Sequence, residues 1–569
     1  MNVRNVSRTV KLKTFQHRSE VYNEVRNWVI WTVKDKVLIF PNERMDMAQR
    51  IYKRWEFWFL LFLYIFSVSI RLLPKLQYDS HLPAFQGDIW YRICMAQYTL
   101  DHWALPEPDI RYQPYGYVPM WYPPLSVFFF AFISRITALD IPTVVTRILP
   151  FFEGISSISI FFLARYIYND RVAVYSSVIL ALTPSFIYWT GIGDPQFFIL
   201  FLIPLFILFF LKYSREEIGT KYLVIMGIVL GIAFMAHLSY FIIILCLFLT
   251  LIYVLHEDRS KRPIIAFFLL IGISQLVAFW WWYPRNLYWW WIQALTSSSG
   301  YYIPLKHFFE FGIVSAVLGG LGLIYLGFTK NRSLLLLFLW ALPLFLETQN
   351  ETILQIIGRS DLAWTTLAKP LEGFRFYCFL AQPLAIAGGI FLYHMEPRID
   401  RRILFSGLIG VLLLNLCVYN INFDLTNAGI IRKEYDAAVW YRDNSDKNAL
   451  IVADYYRAQM ISGVCGGKAL IGGLFPLRNV DYPYIKAPGM VQHDLYTLYT
   501  TEDIAEAMMI IHRYEITYIF YSGNLEKTGY FGTSLQEGYG LDVYLDKFYS
   551  NRFETVYKNN NIIIFKVIQ

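Results

Sequence analysis

"WYPPLSVFFFAFISRI", residues 121–136, is apolar enough to enter a bilayer but carries two prolines near its start and an arginine near its end. Whether it crosses decides the fold, because every later segment changes side with it. Apolar runs also fall at about 56–73, 144–167, 172–191, 195–212, 222–237, 239–255, 264–282, 310–328, 333–346, 376–393 and 403–420. They are judged against the roughly 17–25 residues that a helix needs to span a bilayer. Suppose 121–136 does not cross, and the N-terminal side, with Arg50, Lys53 and Arg54, is inside. The inner connections are then "RYIYNDR" (165–171), "LKYSREEIGTK" (211–221), "HEDRSKRP" (256–263), "TKNRS" (329–333) and "HMEPRIDRR" (394–402). All are short and basic, as the positive-inside rule requires; a crossing at 121–136 would put all of them outside. The stretch therefore reads as a juxtamembrane helix over about 122–138, with Pro123 and Pro124 in its first turn, where a missing N–H costs little.

Composition agrees. The chain has 569 residues, of which 56% are hydrophobic and only 16% charged, against about 25% charged in soluble proteins. The class is a polytopic α-helical membrane protein with about eleven spans, and the C-terminus lies outside. The net charge of +7 sits between apolar runs, so it orients the chain and does not imply nucleic-acid binding. The five cysteines show no paired spacing, which argues against a disulfide framework or a zinc site. Residues 1–55 form a polar, basic cytoplasmic segment with no expected cleavable leader, and Met45 or Met47 would serve as alternative starts.

The tail, 421–569, differs in kind. "EYDAAVWYRDN" reads as an amphipathic helix, and "TEDIAEAMMIIHRYE" as a helix with Thr501 as N-cap. "ALIVA", "ITYIFY", "FETVYK" and "IIIFKVI" read as strands. A C-terminal extracytoplasmic α/β domain follows, after a transmembrane domain over 56–420.

With sides assigned, most noteworthy polar residues share one face. Asp88 opens the first outer loop, where a carboxylate can bind a cation or accept a proton. Asp194 lies in "GIGDPQ" (191–196), a link too short to leave the membrane surface; Gly-Asp-Pro is also ordinary turn chemistry. Arg375 begins a span and offers a fork of donors matched to phosphate, or snorkels as an anchor. His237 lies in the outer link "MAHLSY", and Arg285 and Lys306 are outer cations. The dense aromatic stretch "WWWYPRNLYWWW" (280–291) exceeds what an interfacial belt needs. Within the spans, Arg147 and Glu153 are the main charged exceptions.

The run from Asp88 through "LPEPDIRYQPYG" to "YPPL", then "TGIGDP", then "GFRFY" with "PLAIAGG", resembles the catalytic subunit of oligosaccharyltransferase, especially its archaeal forms, a member of the GT-C membrane glycosyltransferases. The resemblance covers most of the chain. It implies a GT-C fold with juxtamembrane helices, and an outer-face transfer from a polyprenyl phosphate or diphosphate carrier to a protein or glycan acceptor. It implies a plasma-membrane location and a divalent cation, Mn2+ or Mg2+, held by Asp88 and Asp194. Asp88 is the implied catalytic residue and Arg375 the implied donor-phosphate ligand. Three departures stand out. Gln196 replaces a second acid, Thr296 to Ser299 replaces an element ending in Glu, and "VADYYRAQ" keeps only Asp454 of an acceptor-reading motif. Glu347, Glu351, Asp361 or Glu372 would have to substitute. The thinned acids favour a hydroxyl acceptor, which needs one base, over an amide. The rival readings are a lipid or sugar transporter and a non-catalytic relative.

Overall fold

The computed structural model describes residues 55–77, 87–107, 110, 120, 122–257, 260–284, 308–349, 375–422, 432–446, 449–467, 469–471, 488–531 and 540–568. Two units divide the chain, Met1–Phe62 and Leu63–Gln569. The described part of the first is the mostly exposed, aromatic start of helix α1 (Trp55–Gln77).

All else belongs to the second unit. Two short helices follow, α2 (Gly87–His102) and α3 (Leu125–Thr137). Next come α4 (Ile141–Ile167), α5 (Asp170–Ala181), α6 (Pro184–Gly191), α7 (Gln196–Ser214), α8 (Thr220–Ala236), α9 (Tyr240–Glu257) and α10 (Arg262–Trp282). The membrane region ends with α11 (Phe308–Thr329), α12 (Ser333–Thr348), α13 (Phe376–Met395) and α14 (Arg401–Asn422). Every apolar run read as a span is helical. Among the described residues seven helices are long and apolar enough to cross a membrane, or eight if α5 and α6, bent by 65° at Pro184, count as one. The chain is thus a multi-pass membrane protein. Helix α3 has 13 residues, about 20 Å at 1.5 Å per residue, short of a bilayer's roughly 30 Å.

Several details correct the sequence reading. Pro124 is the N-cap of α3, so both prolines precede the helix. Helix α1 runs on to Gln77 and carries Arg71 and Lys75, so the spans hold more charge than Arg147 and Glu153. Helix α4 is not uniform: it is π-helical over Val144–Ile148 and 3-10 over Gly154–Ser157.

The basic connections meet at one end of the bundle. Tyr166 donates to Glu217 at 2.5 Å, Arg215 pairs with Glu257 at 3.3 Å, and Arg262 with Glu216 at 2.6 Å. Arg171 reaches Glu396 at 2.6 Å, and Tyr168 lies 2.6 Å from His394. Helix α3, the link bearing Asp194 and the start of α13 belong to the opposite end, as an alternating thread requires.

Helix α13 is the axis of the bundle, with 89% of its apolar window buried. Lipid tails are as apolar as leucine, so helices associate here through close packing of small residues. A Cβ at Gly322 would lie 2.0 Å from the Ala387 carbonyl oxygen, and one at Gly389 would lie 2.4 Å from Ser176 Oγ. Helices α11 and α5 are thereby pressed directly against α13.

The C-terminal domain contains α15 (Arg432–Asn444), β1 (Ile451–Ala453), α16 (Tyr455–Cys465), β2 (Ala469–Ile471), α17 (Pro488–Thr500), α18 (Ile504–Tyr514), β3 (Tyr518–Ser522), β4 (Phe553–Asn559) and β5 (Ile562–Val567). The sheet order is β2-β1-β3-β5-β4; β1 runs parallel to β2 and β3, and β5 antiparallel to β3 and β4. The expected strands and two helices are present; α16, β2 and α17 were not foreseen. Asp503, not Thr501, caps α18, accepting the Ala505 N–H at 2.7 Å. Helix α16 lies on α2: a Cβ on Gly463 would meet the Trp90 ring at 2.8 Å.

Gly322→Leu should lower the thermal stability of the purified protein by about 1–3 kcal/mol or more, the usual cost of overpacking. Gly320→Leu, where no described atom lies within 4 Å of the added Cβ, should be tolerated. Thermal unfolding in detergent separates the two.

Candidate active site

The link of residues 192–195 cannot extend, because α6 ends at Gly191 and α7 begins at Gln196. Gly193 turns it with φ +81, and a Cβ there would sit 2.9 Å from Ile89 Cδ1 of α2. This turn presses Asp194 inward until it is 2% exposed.

A buried carboxylate needs partners, and three segments supply them. Arg92 Nη2 of α2 lies 3.6 Å from Oδ1, and His237 Nε2, from the α8–α9 link, 3.2 Å from the same oxygen. Arg375 Nη1, at the head of α13, lies 3.6 Å from Oδ2. The Gln196 backbone N–H adds a bond to Oδ1 at 3.0 Å. Burial pushes the Asp194 carboxyl up, but Arg92, His237, Arg375 and that N–H outweigh it and bring it down to about 2. Asp194 is therefore an anion at any ordinary pH and holds no proton to give.

Each partner is itself oriented. Arg92 donates to Tyr122 Oη at 2.7 Å and lies 4.8 Å over its ring. The Ser239 N–H points to His237 Nδ1 at 3.0 Å. With Nδ1 taking that N–H, Nε2 is the nitrogen that donates to Asp194. Arg375 stacks on Trp189 at 4.9 Å. Gln196 donates from Nε2 to Cys378 Sγ at 3.1 Å, and Cys378 to the Arg375 carbonyl at 2.9 Å. Arg375 is the accessible cation, at 15% side-chain exposure against 1% for Arg92. Two guanidiniums face the one carboxylate, and Arg375, the more accessible of them, offers a fork of donors that suits a phosphate.

The residues singled out in the sequence fall into three groups. Asp194, Gln196, His237 and Arg375 come together. Asp88 is the second residue of α2, one turn before Arg92; its side chain lies outside the described part, as do Arg285, Ser299, Glu351, Asp361 and Glu372. Glu347 is in the last turn of α12, at the same end as Arg375. Asp454 belongs to a buried cluster of the C-terminal domain, where Arg457 binds it at 3.2 Å and Glu434 at 2.9 Å. Arg92 and Tyr122 were missed. Arg92 stands four residues after Asp88, on the same helical face, and that spacing was the available signal.

Around Asp194 the described groups do not fit a divalent cation. Two guanidiniums and an imidazole N–H already occupy the carboxylate, and further positive charge beside them is repelled. Among the described residues no group of three or more His, Cys, Asp or Glu is placed to hold a metal.

A family model, dolichyl-phosphate-mannose-protein mannosyltransferase, matches residues 122–282. No curated protein matches the chain. Among solved structures, archaeal oligosaccharyltransferase AglB from Archaeoglobus fulgidus, in complex with an inhibitory peptide and a dolichol-phosphate, is similar with TM-score 0.58 and 16% identity over 84% of this chain and 70% of that one. The A. fulgidus enzyme in complex with zinc and sulfate gives 0.56 and 15%, over 82% and 68%. ArnT from Cupriavidus metallidurans, bound to undecaprenyl phosphate, gives 0.56 and 10%, over 89% and 97%. The fold is the GT-C glycosyltransferase fold.

Asp194→Ala removes a buried ionic partner of Arg92 and should cost about 3–5 kcal/mol. Adding Arg92→Leu removes the facing charge as well and should recover part of the loss, by about 0.5–3 kcal/mol of coupling. Thermal unfolding of the two single variants and the double variant measures this.

Proposed function

We propose that the chain is a membrane glycosyltransferase that moves a sugar from a polyprenyl phosphate carrier to a hydroxyl of a protein or glycan at the extracytoplasmic face of the plasma membrane. The observation that carries this reading is the cluster at Asp194: two guanidiniums on one buried carboxylate, the more accessible of them Arg375, in a GT-C fold. The mannosyltransferase model over residues 122–282 and the polyprenyl phosphate bound by ArnT support a lipid-phosphate donor. The basic connections gathered at the far end of the bundle support an outward-facing site.

In this reading Arg375 binds the donor phosphate, with Arg92 behind it. The acceptor oxygen attacks the anomeric carbon. The bond from that carbon to the phosphate oxygen breaks, and its electron pair stays on the phosphate. The acceptor proton passes to Asp88, the candidate base one turn before Arg92. Charge grows on the phosphate as the bond breaks, so donors fixed beside it stabilise the transition state more than the ground state. Asp194 and His237 hold the two arginines in place. The A. fulgidus enzyme was solved with zinc and sulfate; here the fixed cations take the charge-neutralising part, and no step needs a metal.

The test is transfer from a polyprenyl-phosphate sugar by protein in nanodiscs. Arg375→Ala should lower kcat/KM by about 10²–10³, the loss typical of one transition-state donor. Asp88→Asn should lower kcat by about 10²–10⁴, and chelation with EDTA should leave the rate unchanged. Full activity of Asp88→Asn would overturn the assignment of the base, and collapse in EDTA would restore the metal.

A further inference from the structure

Glu153, which the chemistry above does not use, is fully buried in the spanning helix α4. A charge at the centre of a span costs about 2.5–3.5 kcal/mol, so an intramembrane carboxylate calls for a stated partner and a role. Glu153 has two partners. Its Oε2 pairs with Lys75 Nζ of α1 at 3.4 Å. Its Oε1 accepts the backbone N–H of Gly193 at 3.0 Å. Gly193 is the residue before Asp194, in the turn that has positive φ and no room for a Cβ.

The local helix geometry places this carboxylate. Glu153 ends a short α segment between the π-helical and 3-10 stretches of α4, and such irregular turns inside a helix recur at functional sites. The next residue, Gly154, lets α1 approach: a Cβ there would lie 2.6 Å from Val68 Cγ2. A turn further on, Ser67 and Ser157 hydroxyls meet at 2.8 Å. Arg71 of α1 donates to the Ser67 carbonyl at 2.8 Å and to Thr190 Oγ1 at 3.1 Å, just before the link. Two points of the Asp194 turn, Thr190 and Gly193, are therefore held from within the membrane by charged groups of α1 and α4.

We propose that Glu153, braced by Lys75 and accompanied by Arg71, is a positioning residue that fixes the Asp194 turn, and through it Arg92 and Arg375, in the phosphate-binding arrangement. The inference rests on the reading of this site as a polyprenyl-phosphate site. Glu153 touches no substrate; it acts through one hydrogen bond to the Gly193 N–H. What matters at position 153 is then an acceptor atom, while the charge serves to satisfy Lys75.

Two double variants isolate that atom. Glu153→Gln/Lys75→Met removes both charges and keeps an acceptor; Glu153→Met/Lys75→Met removes both charges and the acceptor. Both leave Arg71 with its hydrogen bonds to Ser67 and Thr190 and without the Glu153 charge, so the difference between them isolates the acceptor. The full-length protein in nanodiscs is compared by hydrogen exchange over 190–198 and by binding of a polyprenyl monophosphate. The Gln/Met variant should exchange and bind like wild type. The Met/Met variant should exchange about tenfold faster over 190–198, as loss of one charge-assisted hydrogen bond predicts, and bind the lipid about tenfold more weakly. Equal exchange in the two variants, or equal loss of lipid binding in both, overturns the proposal. If the exchange difference appears but wild type binds no polyprenyl phosphate, the positioning role stands and the donor assignment falls. Thermal unfolding of both variants shows that each remains folded; if only the Met/Met variant unfolds, the acceptor serves stability and the positioning proposal fails.

Discussion

A carboxylate removed from water at the edge of a bilayer constrains everything near it. Asp194 would cost several kcal/mol if buried alone, so the chain folds correctly only if Arg92, His237 and Arg375 arrive from elements far apart in sequence. Between spanning helices there is no hydrophobic drive to choose partners, because lipid competes equally well for apolar faces. Directional groups must do the choosing. The Asp194 cluster fixes α2, the α8–α9 link and the head of α13 around one turn, and the glycine contacts of α13 do the same for α11 and α5.

The seat of the C-terminal domain follows from the same helix. Helix α2 presents Arg92 to Asp194 on one side and Trp90 to Gly463 of α16 on another. Trp90 also lies 6.2 Å, ring to ring, from Tyr435 of α15. A shift of α2 would therefore be felt in both the Asp194 cluster and the C-terminal domain. The Glu434–Arg457–Asp454 cluster makes the domain's own contact region rigid: Arg457 is fully buried and spends its donors on both acids and on Thr528 at 2.9 Å. Burial pushes the Asp454 carboxyl up, which Arg457 opposes.

Sequence carried the bundle well because span length and loop charge are local properties. That each apolar run is helical follows from counting apolar residues; among the described residues seven or eight of the eleven expected spans meet the length and hydropathy a crossing needs. Asp194 and Arg375 were legible because each is a charge at the edge of an apolar run. Arg92 was not, since its neighbours Ile89, Trp90, Tyr91 and Ile93 make its helix look apolar, and nothing local states that its partner lies after α6. Arg71 and Lys75 were hidden in the same way by the leucines around them. Helix α16 escaped because most of its central residues are buried, and a helix covered on many sides loses the 3.6-residue alternation that marks an amphipathic one. Gln196 was read as a lost acid; its amide instead ties α7 to Cys378 of α13.

The charges form two tiers, and the tiers explain one another. At the rim, two arginines face Asp194; one layer deeper, Arg71 and Lys75 face Glu153. The Gly193 turn joins the two tiers through a single backbone amide. In a low-dielectric setting charges act over longer distances than they would in water. In the proposed reading, an anionic headgroup arriving at Arg375 is therefore drawn to the guanidinium it touches and, more weakly, to the cations beneath. The deeper tier contributes without being reached by the ligand, through the turn it holds as much as through its charge.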